Sequence, residues 1–173
     1  MKSVLRVLPL SLAMFSLTAC EPAKAPPAAM LPVAQIDGID ISEPRLRLPP
    51  GGRDVTAAYL TLTNNQDVPR KLVGAESPDA ARIELHAHLT GADGVKQMRQ
   101  VNEVVIPAKG TAVLAPGGLH LMVFGIKPDV KPGDQIKITL TFDNARRVSF
   151  PTPVVENPSQ SVEGDKAHGG HQH

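Results

Sequence analysis

Between residues 34 and 154 apolar and polar side chains alternate in short runs, broken about every ten residues by Pro, Gly, Asn or Asp. No stretch sustains the 3.6-residue repeat of an amphipathic helix, so the pattern predicts short antiparallel strands closing on one core, as a sandwich or a barrel. The strands are expected at 36–41, 55–63, 71–75, 81–89, 95–100, 103–106, 111–114, 119–125, 135–141 and 147–150. Asp93-Gly94, Pro116-Gly117-Gly118 and Lys131-Pro132-Gly133-Asp134 supply residues that permit or fix the backbone angles of chain reversals. A stretch of this length buries one core, and a monomer is expected.

The two ends break the pattern. Lys2 and Arg6 precede an apolar run and the sequence Leu17-Thr18-Ala19-Cys20, the charged, apolar and small-residue order of an export signal over residues 1–19. The run is too short for a permanent membrane span. Leu-Thr-Ala-Cys resembles a bacterial lipobox, in which Cys20 becomes the acylated first residue of the mature chain. Glu21 after it, rather than Asp, implies a periplasm-facing lipoprotein of the outer membrane. Residues 20–33 are rich in Pro and Ala and read as a semi-extended linker, with the folded domain over 34–154. Residues 155–173 read as a flexible tail carrying His168, His171 and His173.

Composition narrows the function. Aromatics are 3% of residues with no Trp, which requires an aliphatic core and disfavours ring platforms for sugars or bases. Eighteen basic and seventeen acidic residues give a formal charge of +1, and loss of Lys2 and Arg6 with the signal turns it to −1. No basic surface is available for nucleic acid. With one cysteine, assigned to the lipid, the folded chain has neither a disulfide nor a thiolate metal site.

Histidine and methionine remain. On a strand, residues two apart share a face, so Ile83, Leu85, Ala87 and Leu89 are expected to face the core, with Glu84, His86 and His88 opposite. Leu119, Leu121 and Val123 likewise alternate with His120, Met122 and Phe124. Met98 lies in the strand after His86 and His88, and a hairpin across Gly91–Gly94 would bring it back towards them. Thioether sulfur and neutral imidazole suit the soft cation Cu(I), whereas zinc, calcium and magnesium gain little from methionine. Neutral ligands leave the ion's charge uncompensated, which favours onward transfer to a thiolate-rich acceptor. A blue-copper centre would need a cysteine thiolate, and no His-Glu-x-x-His, Gly-x-Ser-x-Gly or phosphate-binding glycine loop is present. Nothing in the sequence is recognisably catalytic.

The spacing of these residues resembles that of the PCuAC-type periplasmic copper chaperones: His, an optional Met, ten residues, Met, twenty-one residues, then His-x-Met. His86, Met98, His120 and Met122 fall on that pattern, with Ala87 in the optional slot. The stretches Ala57-Ala58-Tyr59-Leu60, Ile106-Pro107-Ala108-Lys109-Gly110 and Pro116-Gly117-Gly118-Leu119 also resemble the family. The resemblance implies a cupredoxin-like β-sandwich that binds one Cu(I) through His86, Met98, His120 and Met122 at an exposed edge. It further implies delivery to the CuA or another copper centre of a haem-copper oxidase, through an oxidase subunit or its assembly factors. Sequestration of copper in the envelope is the alternative function. His88 is a possible supplement to, or competitor of, His86, and His168, His171 and His173 form a possible secondary site for Cu(II), for which imidazole is a good ligand.

Overall fold

The structure is a computed structural model that describes residues 31–49, 53–91 and 94–156. Cys20 and the tail histidines His168, His171 and His173 lie outside the described residues.

Every regular element among the described residues is a strand: β1 Ala34–Ile36, β2 Ile39–Arg47, β3 Val55–Asn64, β4 Arg70–Glu76, β5 Ala80–Thr90 and β6 Lys96–Gln100. The remainder are β7 Val104–Ile106, β8 Thr111–Leu114, β9 His120–Ile126, β10 Gln135–Phe142 and β11 Arg147–Val155. Hydrogen bonding runs β1-β2-β11-β10-β4-β5-β9-β3-β8, and an additional pairing of β2 with β3 closes the sheet on itself. The closure is uneven. β4 and β5 meet through a single registered pair, Ala75 with Ile83, so the barrel has a narrow seam there. The expected all-β architecture is borne out, with the strands closing as a barrel-like sheet around one core.

Strict alternation builds the interior. In β10 Ile136, Ile138, Leu140 and Phe142 are buried and the residues between them are not. Ile41, Leu46, Leu62, Leu72, Ile106, Leu121 and Phe150 meet them in one contiguous core. The core is aliphatic apart from Phe142 and Phe150, and each such side chain contributes roughly 1.5–3 kcal/mol by leaving water.

Three elements differ from the sequence pattern. Residues 36–41, expected as one strand, are a hairpin. Asp37 and Gly38 take φ of 43° and 70°, and Ile36 pairs with Ile39 across this two-residue turn. β11 continues to Val155 through Pro151 and Pro153. Prolines two residues apart lack their N–H on the same edge, and along that strand β2 joins only at Val154 and Val155. Leu89, expected in the core, is 47% exposed. By that point β5 has run past the barrel wall and pairs with β6, whose five residues are all exposed, so there is no interior for Leu89 to face.

β5 and β9 are held together at the opposite end by a close approach. Gly125 has φ of 62°, and a Cβ there would lie 2.7 Å from Ala81 Cβ. Its N–H donates to the Asp54 carbonyl at 2.8 Å. Gly125→Ala is expected to destabilise the domain by about 2–4 kcal/mol through left-handed strain and overpacking. Urea denaturation measures it, and a loss well under 1 kcal/mol would contradict the packing described.

Candidate metal centre

Register places the candidate ligands. β5 lies between β6 and β9. His86 pairs with His120 on one side, and His88 pairs with Met98 on the other. Met122, two residues beyond His120, stands opposite Glu84 on β5 and Ala57 on β3. Period-two alternation therefore puts Glu84, His86, His88, Met98, His120 and Met122 on one face, outside the aliphatic row formed by Leu85, Ala87, Leu121 and Val123.

The tightest contact on this face joins His120 to Met98, with Nε2 and Sδ 3.2 Å apart. The Nδ1 of His120 lies 3.0 Å from the Gly118 carbonyl. A carbonyl only accepts, so Nδ1 carries the proton and Nε2 presents a lone pair to the thioether. Two donor atoms face each other with no proton between them. Ligand atoms of one metal ion sit roughly 3–4 Å apart, and this pair has that separation.

His86 is fixed in the opposite sense. Its Nε2 donates to Glu84 Oε2 at 2.9 Å, leaving Nδ1 as the lone-pair nitrogen. That Nδ1 is buried and has no hydrogen-bond partner. An unsatisfied buried acceptor is costly, and a metal ion would satisfy it. Glu84 is itself held by Arg82 at 2.8 Å, and the Arg82 guanidinium lies 3.9 Å above the Phe124 ring. The His86 and His120 ring centroids are 5.8 Å apart.

Burial grades the face. His120 is buried, the His86 side chain is 12% exposed and Met98 is 46% exposed. A pocket of about 250 Å³ opens here, its wall including His88, Met98, His120, Met122 and, on the rim, Arg47 and Arg53. Burial holds the His120 imidazole below the ordinary histidine pKa. The Gly118 hydrogen bond opposes this, and His88 and His86 add to the lowering. Glu84 is held below the ordinary carboxylate value, first by the His86 hydrogen bond and then by Arg82.

The structure thus brings Met98 against His120 and sets His86, His88 and Met122 around them. Among the described residues no group of three or more His, Cys, Asp and Glu side chains is placed to hold a metal. The thioethers of Met98 and Met122 share this pocket with the imidazoles of His88 and His120, a neutral donor set of the kind that suits a soft cation. Two contributors were not singled out from sequence. Glu84 fixes the tautomer of His86, and the backbone carbonyl of Gly118 fixes that of His120. The i, i+2 spacing of Glu84 and His86 was a legible signal for the first; a backbone acceptor leaves none.

The profile of the family described as LpqE-like, a lipoprotein family, matches residues 39–154. Lxx21020 of Leifsonia xyli subsp. xyli, a protein named as a lipoprotein, is 31% identical over 152 residues, covering 87% of this chain and 89% of its own length. RP573 of Rickettsia prowazekii is 28% identical over 109 residues, covering 62% of this chain and 60% of its own. Among solved structures, the CuI form of DR1885 from Deinococcus radiodurans has 35% identity and a TM-score of 0.57, over 75% of this chain and 83% of its own. The copper-bound PCuAC domain of PmoF2 has 24% identity and a TM-score of 0.62, over 72% of this chain and 97% of its own, a likeness of fold.

The lowered His120 pKa has a signed consequence. The unfolded imidazole titrates near 6.5 and the folded one below it, so as pH falls the unfolded chain takes up the proton first. Stability that is complete above pH 6.5 is lost as pH drops through the folded value. Glu84 adds to the loss only in its own range, below its ordinary 4.5. Thermal unfolding of the metal-free chain is expected to show Tm falling between pH 7 and 5, with a shallower slope in His120→Gln. Equal slopes in the two chains would refute the assignment.

Proposed function

The chain belongs to the LpqE-like family and is a PCuAC-type copper-chaperone domain, and from that premise we propose that it holds one Cu(I) ion at the β5–β6–β9 face and passes it to a copper protein of the cell envelope. A chaperone domain of this kind carries its cargo and catalyses no reaction. The observation that carries the reading is the facing pair His120 Nε2 and Met98 Sδ, 3.2 Å apart, with the histidine proton committed to Gly118.

His86 Nδ1 and Met122 complete the proposed ligand set with them. Their chemistry suits the task. Imidazole nitrogen and thioether sulfur are neutral and satisfy a soft monovalent cation, whereas a site for Cu(II) or zinc would draw on more nitrogen, carboxylate or thiolate. The exposure of Met98 favours transfer over storage, because an incoming ligand reaches the ion from that side without opening the core. The CuA centre of a haem-copper oxidase offers the thiolates that would make such transfer downhill. Acylation at Cys20 would tether the domain to the membrane, and the tail histidines His168, His171 and His173 would gather Cu(II).

The test is a double variant, Met98→Leu with Met122→Leu, which keeps volume and apolarity. Its Tm is expected to stay close to that of the parent chain. Its Cu(I) affinity, measured anaerobically against a competing chelator, is expected to fall by about two orders of magnitude or more. X-ray absorption of the parent chain should count sulfur as well as nitrogen neighbours. Unchanged affinity in the double variant would defeat the proposal, and retention of the ion when an apo CuA domain is offered would turn the reading towards sequestration.

A further inference from the structure

The face carries one more imidazole than the proposed set uses. His88 stands directly opposite Met98 in the β5–β6 register. Its ring centroid is 5.4 Å from that of His120, nearer than the 5.8 Å of His86. Its Nδ1 lies 3.4 Å from the Gly118 carbonyl, the same oxygen that takes the His120 proton. One backbone carbonyl therefore orients both rings, leaving each with Nε2 as the lone-pair nitrogen.

His88 and His86 differ in access. His88 lines the open pocket together with Met98, His120 and Met122, while His86 lies outside that lining with its free Nδ1 buried. Two imidazoles on one ion, with metal–nitrogen bonds of ~2.0 Å, hold their centroids roughly 5–6 Å apart. His120 meets that condition with each of the two. Side chains two residues apart on one strand share a face, so His86 and His88 offer nitrogen at two depths beside the same His120, His88 in the open pocket and His86 behind it.

We infer that His88 is a transfer ligand: with Met98 and His120 it forms an outer position that takes up Cu(I) from the pocket and returns it there, and the ion exchanges between His88 and His86 about a shared His120. The inference rests on the reading of this face as a Cu(I) site. The step is a ligand exchange. A bond from copper to His86 Nδ1 forms as the bond to His88 Nε2 breaks. The ion stays Cu(I), and no proton leaves, because both nitrogens already present lone pairs.

The experiment uses the full chain loaded anaerobically with one equivalent of Cu(I). Release to excess bicinchoninate is followed by stopped flow, and Kd is measured by equilibrium competition. In His88→Ala, release is expected to slow about tenfold, with Kd moving no more than about threefold because uptake and release slow together. His86→Ala should instead weaken Kd much more than it slows release. His88→Met, which restores a soft donor at the outer position, should recover most of the lost rate. Release from His88→Ala at the parent rate would overturn the inference. So would a Kd loss in it equal to that of His86→Ala, or a His88→Met chain as slow as the alanine variant. Failure of the parent chain to take up Cu(I) at all would overturn the proposed function and this inference with it, whereas equal rates with binding intact overturn the role of His88 alone.

Discussion

The register of β5 against β9 is the constraint on which the rest depends. His86 is opposite His120, Leu85 opposite Leu121 and Ile83 opposite Val123, so a single pairing assigns one row to the core and the next to the candidate centre. A slip of β5 by one residue would turn Leu85 outward and drive the β5 imidazoles into the aliphatic interior. Hydrophobic burial thus enforces the alignment of the candidate centre, and its side chains need contribute little to holding themselves in place. Gly125 serves the same alignment from the other end of β9, where a side chain would push β5 away.

Much of this was legible in the sequence. Alternation in residues 83–89 and 119–124 identifies the inner and outer rows, because the period of a strand is set by the backbone. Hairpin logic brings Met98 back towards the histidines, and it is paired with His88. What escaped was of two kinds. The Asp37-Gly38 reversal lay inside an apolar run that read as one strand, although its residue pair is the usual one for a two-residue turn. Leu89 obeyed the alternation but lay beyond the point where the barrel wall ends, and alternation assigns a side without saying whether a core lies on it.

Tautomer was the other thing hidden. The residue types at 86, 88 and 120 advertise imidazole, yet which nitrogen is free depends on partners distant in kind: a carboxylate two residues back for His86, and a backbone oxygen in the Pro116-Gly117-Gly118 turn for His120 and His88. These outer partners settle orientation as much as the ligands themselves do. Glu84 in turn depends on Arg82, and Arg82 on the Phe124 face, so the support of one nitrogen extends along both strands.

The position of Met98 has a cost as well as a use. A thioether on an exposed strand is open to oxidants, and conversion to the sulfoxide replaces a soft sulfur donor by a hard oxygen. Because β6 packs none of its five residues into the interior, such damage would remove the proposed Met98 ligand while leaving the barrel folded. A reductase that restores the thioether would therefore return the chain to service without refolding or resynthesis.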